Sequence, residues 1–186
     1  MAILSDGDLS FELRYIRVEY GPVSWVYYRF RFLWQDIPII NDAILKRIND
    51  YWNDRREGEL LACSDLDDDL LPVLERGLRE NVPVEWEPVD PDVMISLFPD
   101  LRLAYWGTST SLDVESDQKE EASEQSSPPN LEHDKDLFTL VVLVSPYQFK
   151  ESDYYGCGGP GLQLVVSRSE LEAFLAQLRD EFEALA

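Results

Sequence analysis

The chain has 186 residues, 45% hydrophobic and 12% aromatic, with 37 acids against 16 bases and a formal net charge of −21. That length suffices for one ordinary domain that buries most of its apolar surface without disulfide or metal staples, and the aromatic content excludes the low-hydrophobicity disordered class. The charge disfavours direct binding to nucleic acid, whose phosphates it would repel, and suits either solubility or the steering of a basic partner.

The opening MAILSDGD lacks the basic region and apolar run of a signal peptide. No stretch approaches the roughly 20 apolar residues of a spanning helix, so a cytoplasmic protein is expected. Cys63 and Cys157 are the only cysteines and stand in no metal-ligand spacing, which points to reduced thiols and to no metal or other cofactor.

Residues 10–20 and 25–34 are rich in aromatic and β-branched side chains, and Gly21-Pro22 punctuates them as a hairpin turn. In the second strand Val26, Tyr28, Phe30, Phe32 and Trp34 share one face and Arg29 and Arg31 the other, so period 2 defines a buried side. After Ile37-Pro38, Asn41 or Asp42 is expected to cap a helix to about residue 53, with Ile44, Leu45, Ile48 and Trp52 as its apolar stripe. A second helix is expected around Leu66, Leu70, Leu74 and Leu78, with Ser64 and four aspartates before it and Pro72 either kinking it or marking its first turn.

Between Val82 and Trp106, prolines break the chain into short pieces. VEWEPV and LRLAYW are the best strand candidates there, as edge strands. Residues 113–136 carry nine acids and two lysines and almost nothing apolar, which reads as a disordered or weakly ordered acidic insertion whose removal still leaves −14 on the rest. Residues 138–149 then read as a strand buried on both faces, and 161–167 as its partner, both central in the sheet. Ser167 and Glu170 form a capping box ahead of a helix with Leu171, Phe174, Leu175, Leu178, Phe182 and Leu185 on one face. The fold class expected is α+β, a single domain over 1–186 with a mainly antiparallel sheet packed against two or three helices, including the amphipathic C-terminal one.

No catalytic motif emerges. Asp65, Asp67 and Asp69 have the spacing that opens an EF-hand loop, but Leu70 stands where glycine is required and Arg76 where the bidentate glutamate belongs. Cys157 lies in a glycine-rich loop without a base, since His133, the one histidine, falls in the acidic insertion. That loop leads into a strand and not a helix N-terminus, so it does not read as a phosphate cradle. Its functional reading is a contact surface, with Tyr154, Tyr155 and Cys157 as partner-contact residues.

The plan of hairpin, helices, proline-broken middle and final sheet with helix resembles immunity proteins of bacterial polymorphic toxin systems. The resemblance implies a cytoplasmic inhibitor that neutralises a toxin by stoichiometric binding. From the charge itself, the expected partner is a protein with a basic surface, met without nucleic acid or membrane. A structural or assembly subunit and an enzyme using clustered carboxylates are the other classes.

Overall fold

The computed structural model of the protein describes residues 1–45, 56–88, 93–99, 136–153 and 159–185. Its elements run β1 (Ala2–Asp6), β2 (Leu9–Glu19), β3 (Trp25–Trp34), β4 (Ile37–Pro38), β5 (Leu60–Asp65), α1 (Leu70–Glu80), β6 (Val84–Trp86), β7 (Val93–Pro99), β8 (Leu137–Val144), β9 (Gly161–Ser167) and α2 (Arg168–Leu185). The fold is α+β, but its strands form two antiparallel sheets where one was expected. The first has the order β1-β2-β3, with β4 and β5 side by side along the far edge of β3; the second has the order β6-β7-β8-β9. The chain divides because β5 returns to β3 and closes the first set of pairings before α1, and the later strands then find partners only among themselves.

The β2–β3 hairpin stands as expected, with an irregularity that alternation alone does not forecast. Its register slips between Tyr15 and Arg17, leaving Ile16 as an extra residue. Before the bulge Phe11, Leu13 and Tyr15 point inward; after it Val18 does, paired with Val26, so an odd-numbered face hands over to an even-numbered one without leaving the core. The Tyr15 N–H donates to the Glu181 carboxylate of α2 at 3.2 Å. Trp34, expected on the buried side, is 55% exposed at the strand end.

Pro72 falls in the first turn of α1, where its missing N–H costs nothing, and a 3-10 turn at Leu66–Asp68 precedes the helix. Asn41 caps only a turn, accepting from the Ala43 N–H at 2.6 Å, and Leu45 bridges antiparallel to Phe149. The expected helix is therefore not present over residues 41–45, and its remainder lies outside the described residues. Of the two strand candidates in the proline-rich stretch, β6 is the first, LRLAYW lies outside the described residues, and β7 was not anticipated. It is an interior strand, because β6 and β8 flank it. β9 is the partner of β8 but sits at its sheet's edge and not in its centre; there the Asp6 carboxylate accepts from the Val165 N–H at 2.8 Å and ties β9 to β1.

The C-terminal helix carries its expected capping box: Glu170 accepts from the Ser167 N–H at 2.7 Å, and Ser167 Oγ accepts from the Glu170 N–H at 3.3 Å. Leu171, Phe174, Leu175 and Leu178 are buried, while Phe182 is half-buried against Tyr15 and Leu185 is exposed. α2 packs on β1, β2 and α1 and touches β8 and β9, so side chains of both sheets and both helices form one continuous core. No helix among the described residues is long and apolar enough to cross a membrane.

Candidate functional site

The register of β2 on β3 sets Glu12 opposite Arg31, Arg14 opposite Arg29 and Arg17 opposite Tyr27, all on the face turned away from the core. Two arginines directly across a ladder repel. Here the repulsion is answered by Glu59, brought in just before β5 by Gly58. Gly58 has φ +71°, and a Cβ there would collide with the Ile40 carbonyl. Glu59 is fully buried and accepts from Arg14 at 3.0 Å, from the Arg56 Nε at 2.6 Å and from the Arg56 backbone N–H at 2.9 Å, with Arg29 Nη1 at 3.5 Å. Glu12, also buried, pairs with the Arg31 Nε and lies 3.4 Å from Arg56 Nη2. Four guanidiniums thus surround two carboxylates. Burial pushes the Glu59 carboxyl up, but the hydrogen bonds from Arg56 and Arg14 outweigh it and hold the group below its ordinary value.

A second polar network lies on the core side. Asp69, at the N-cap position of α1, is buried and accepts from the Tyr15 hydroxyl at 3.0 Å and from the Tyr28 hydroxyl; Ser64 Oγ lies 2.9 Å from Tyr28 Oη. The Tyr15 and Tyr28 rings are 5.1 Å apart, and the Trp86 edge meets Tyr28 at 5.4 Å while its indole N–H donates to the Asp68 carbonyl at 2.7 Å. Burial raises the Asp69 carboxyl above its ordinary value in spite of the tyrosine hydrogen bonds, and burial followed by the Asp69 charge pushes both phenols up. The network joins β2, β3, β5 and α1.

Asp69 therefore has a definite pH signature. A folded-state value above 3.8 means that protonation favours the fold, so this group adds stability as pH falls through the raised value and costs stability once ionised. Comparing wild type with Asp69→Asn by urea unfolding from about pH 7 down to about pH 4, wild type should gain on the variant as the pH falls. A gap independent of pH would contradict the assignment.

Between α1 and α2 lies an open groove of about 370 Å³ lined by Glu75, Leu78, Arg79, Arg168, Glu172, Leu175 and Arg179. Arg168 donates to the Leu78 carbonyl at 3.0 Å and to Asn81 Oδ1 at 3.2 Å, satisfying the last turn of α1, and Arg179 pairs with Glu75 at 2.5 Å. These arginines serve the helix packing.

Tyr154, Tyr155 and Cys157 lie outside the described residues, as does the acidic segment 113–135. The residues after β8 make a 3-10 turn at Pro146–Gln148, and Gly159 returns so close to the Val144 carbonyl that a Cβ would not fit. The three aspartates of the EF-hand-like spacing diverge: Asp65 accepts from the Asp67 N–H at 3.1 Å, Asp67 is exposed, and Asp69 turns inward to the tyrosines. Among the described residues no group of three or more His, Cys, Asp or Glu is placed to hold a metal ion. Cys63 is half-buried on β5, opposite Tyr27.

Sequence reasoning set Arg29 and Arg31 on one face but missed Glu12, Arg14, Arg56 and Glu59. Arg14 was recoverable from alternation in β2; Glu59 was not, since nothing local shows that β5 pairs with β3. A scan against family models, a search of curated proteins and a search of solved structures each found no match.

Proposed function

We propose that this is a non-enzymatic protein that acts by binding another macromolecule, a protein with a basic surface, through its own acidic surface. The observation that carries the reading is how the charge is partitioned. Eight bases balance eight acids in residues 1–56, so residues 57–186, with eight bases and 29 acids, hold the whole −21. Much of this charge is displayed outward, including Glu80, Glu85 and Glu87 near α1 and β6 and Glu172, Asp180 and Glu183 along α2, all exposed. An excess of negative charge of this size makes a field that can accelerate the capture of an oppositely charged partner. The particular form favoured is a toxin-neutralising inhibitor of the immunity-protein kind, because its overall plan resembles those proteins.

The test is a pull-down with the full chain at low and at high salt, followed by identification of what is retained. The expected result is a basic protein held at low salt and released at high salt. A retained partner that is acidic, or that is held equally at both salts, would overturn the reading.

A further inference from the structure

At one end of the first sheet the inner face runs out from under its cover. α2 covers β2 from Phe11, which meets Phe174, to Tyr15, which meets Phe182. One inner position beyond Phe11, the register sets Leu9 opposite Trp34 and Trp34 opposite Ile37, so three strands place three apolar side chains in a single row across the sheet. Leu9 is half-buried, but Trp34 is 55% and Ile37 65% exposed. Apolar residues scattered singly over a surface need no explanation. A contiguous row that includes an indole does, because Trp is among the side chains that most often anchor an interface.

The row is tied in place and rimmed by acids. Gln35 and Asp36, which turn β3 into β4, are both left-handed, at φ 48° and 64°, a conformation that favours asparagine or glycine. Gln35 pins this turn to the β1–β2 turn beside it: its backbone N–H donates to the Asp8 carbonyl at 2.8 Å and its side-chain amide to the Asp8 carboxylate at 3.1 Å. Asp6, directly opposite Leu9, extends the row onto β1 and accepts from the Val165 N–H at 2.8 Å. Both donors are uncharged amides, so neither carboxylate is neutralised by its partner. Asp36 is exposed on the second turn, offset in part by Arg31 on the outer face.

We infer that this row is the docking surface for the basic partner, and that it takes an apolar side chain presented between lysines or arginines. The inference rests on the reading of a basic protein partner and adds the place where that partner is met. Steering by the field of the whole molecule sets how fast a partner arrives, whereas desolvated apolar contact sets how long it stays, and the row offers such contact where a solvated acidic surface does not. The pinned turns hold the row in order before binding, which lowers the entropy cost of the complex. Charge decides the occupant. A second copy of the chain would bring its own Asp6, Asp8 and Asp36 against these, and like charges brought together across an interface are penalised, whereas basic flanks meet them with the opposite sign.

The experiment uses the full chain and two synthetic peptides of equal length and charge, one alternating lysine with leucine and the other lysine with serine. At about 20 mM salt, where screening is weak, both should bind. The leucine peptide should bind at least about tenfold more tightly, as the burial of a leucine side chain requires. Trp34→Ser combined with Ile37→Ser should bring the two peptides to within about threefold of each other. A second reading keeps the wild-type surface intact: the Trp34 indole N–H resonance, identified by its absence from Trp34→Phe, should shift when the leucine peptide is added. If both peptides bind equally and that resonance stays in place, the basic-partner reading stands and this surface is refuted. If neither peptide binds, both fall. A leucine preference that survives the double substitution overturns the inference, and so does a dimer, seen by sedimentation, that the double substitution disperses.

Discussion

Phe174→Ala is expected to lower stability by about 3–5 kcal/mol, close to the largest loss one core truncation produces. The ring is fully buried on the inner face of α2, with its centroid 6.2 Å from that of Phe11 on β2, and it sits amid the core that the two sheets share. Truncation removes the ring's transfer free energy and leaves a cavity that close-packed neighbours on rigid strands cannot fill. Urea unfolding should show a lower midpoint with an unchanged slope. A loss under about 1 kcal/mol would mean that α2 is held loosely and that its apolar face is a surface.

Glu59→Gln should cost about 3 kcal/mol. Removing one member of a buried ion pair costs roughly 3–5 kcal/mol, and the lower end applies here because Arg14 and Arg56 keep a third of their surface in water. Glutamine preserves the shape, so the loss reports charge: Arg14 and Arg29 would then face each other across the ladder without the carboxylate that reconciles them. The pH dependence gives a second reading. Hydrogen bonds from Arg56 and Arg14 hold Glu59 below 4.5 in the fold, so its contribution is present above that ordinary value and is lost as pH falls through the lower folded one. The gap between wild type and variant should narrow in acid, opposite in sign to the behaviour of Asp69. A variant as stable as wild type at neutral pH would show that the cluster contributes nothing to holding β2, β3 and β5 together.

What was legible in the sequence was local. The β2–β3 hairpin and the capped helix α2 declare themselves because their period and end signals lie within a few residues of one another, whereas Pro72 left a kink and a helix start both open until the structure placed it in the first turn of α1. What was hidden depended on pairing at a distance. Alternation predicts which face a residue takes only until a bulge intervenes, and the extra Ile16 moves Val18 to the face that Tyr15 had held. The split into two sheets follows from β5 pairing with β3, for which no signal lies near Leu60. The candidate cluster was half visible for this reason: Arg14, Arg29 and Arg31 alternate along β2 and β3, while Arg56 and Glu59 enter only through that long-range pairing. β7 was obscured because proline at either side of VMISLF drew attention to breaks and away from the apolar run between them.

We propose that the excess negative charge serves to capture a basic partner. It is tested most directly by the association rate with the protein retained at low salt, measured from roughly 20 to 500 mM salt, a range over which the screening length falls several-fold. The rate should drop steeply as salt rises through physiological values, with dissociation changing much less. A rate that stays flat across that range would contradict it and leave the acidity as a device for solubility.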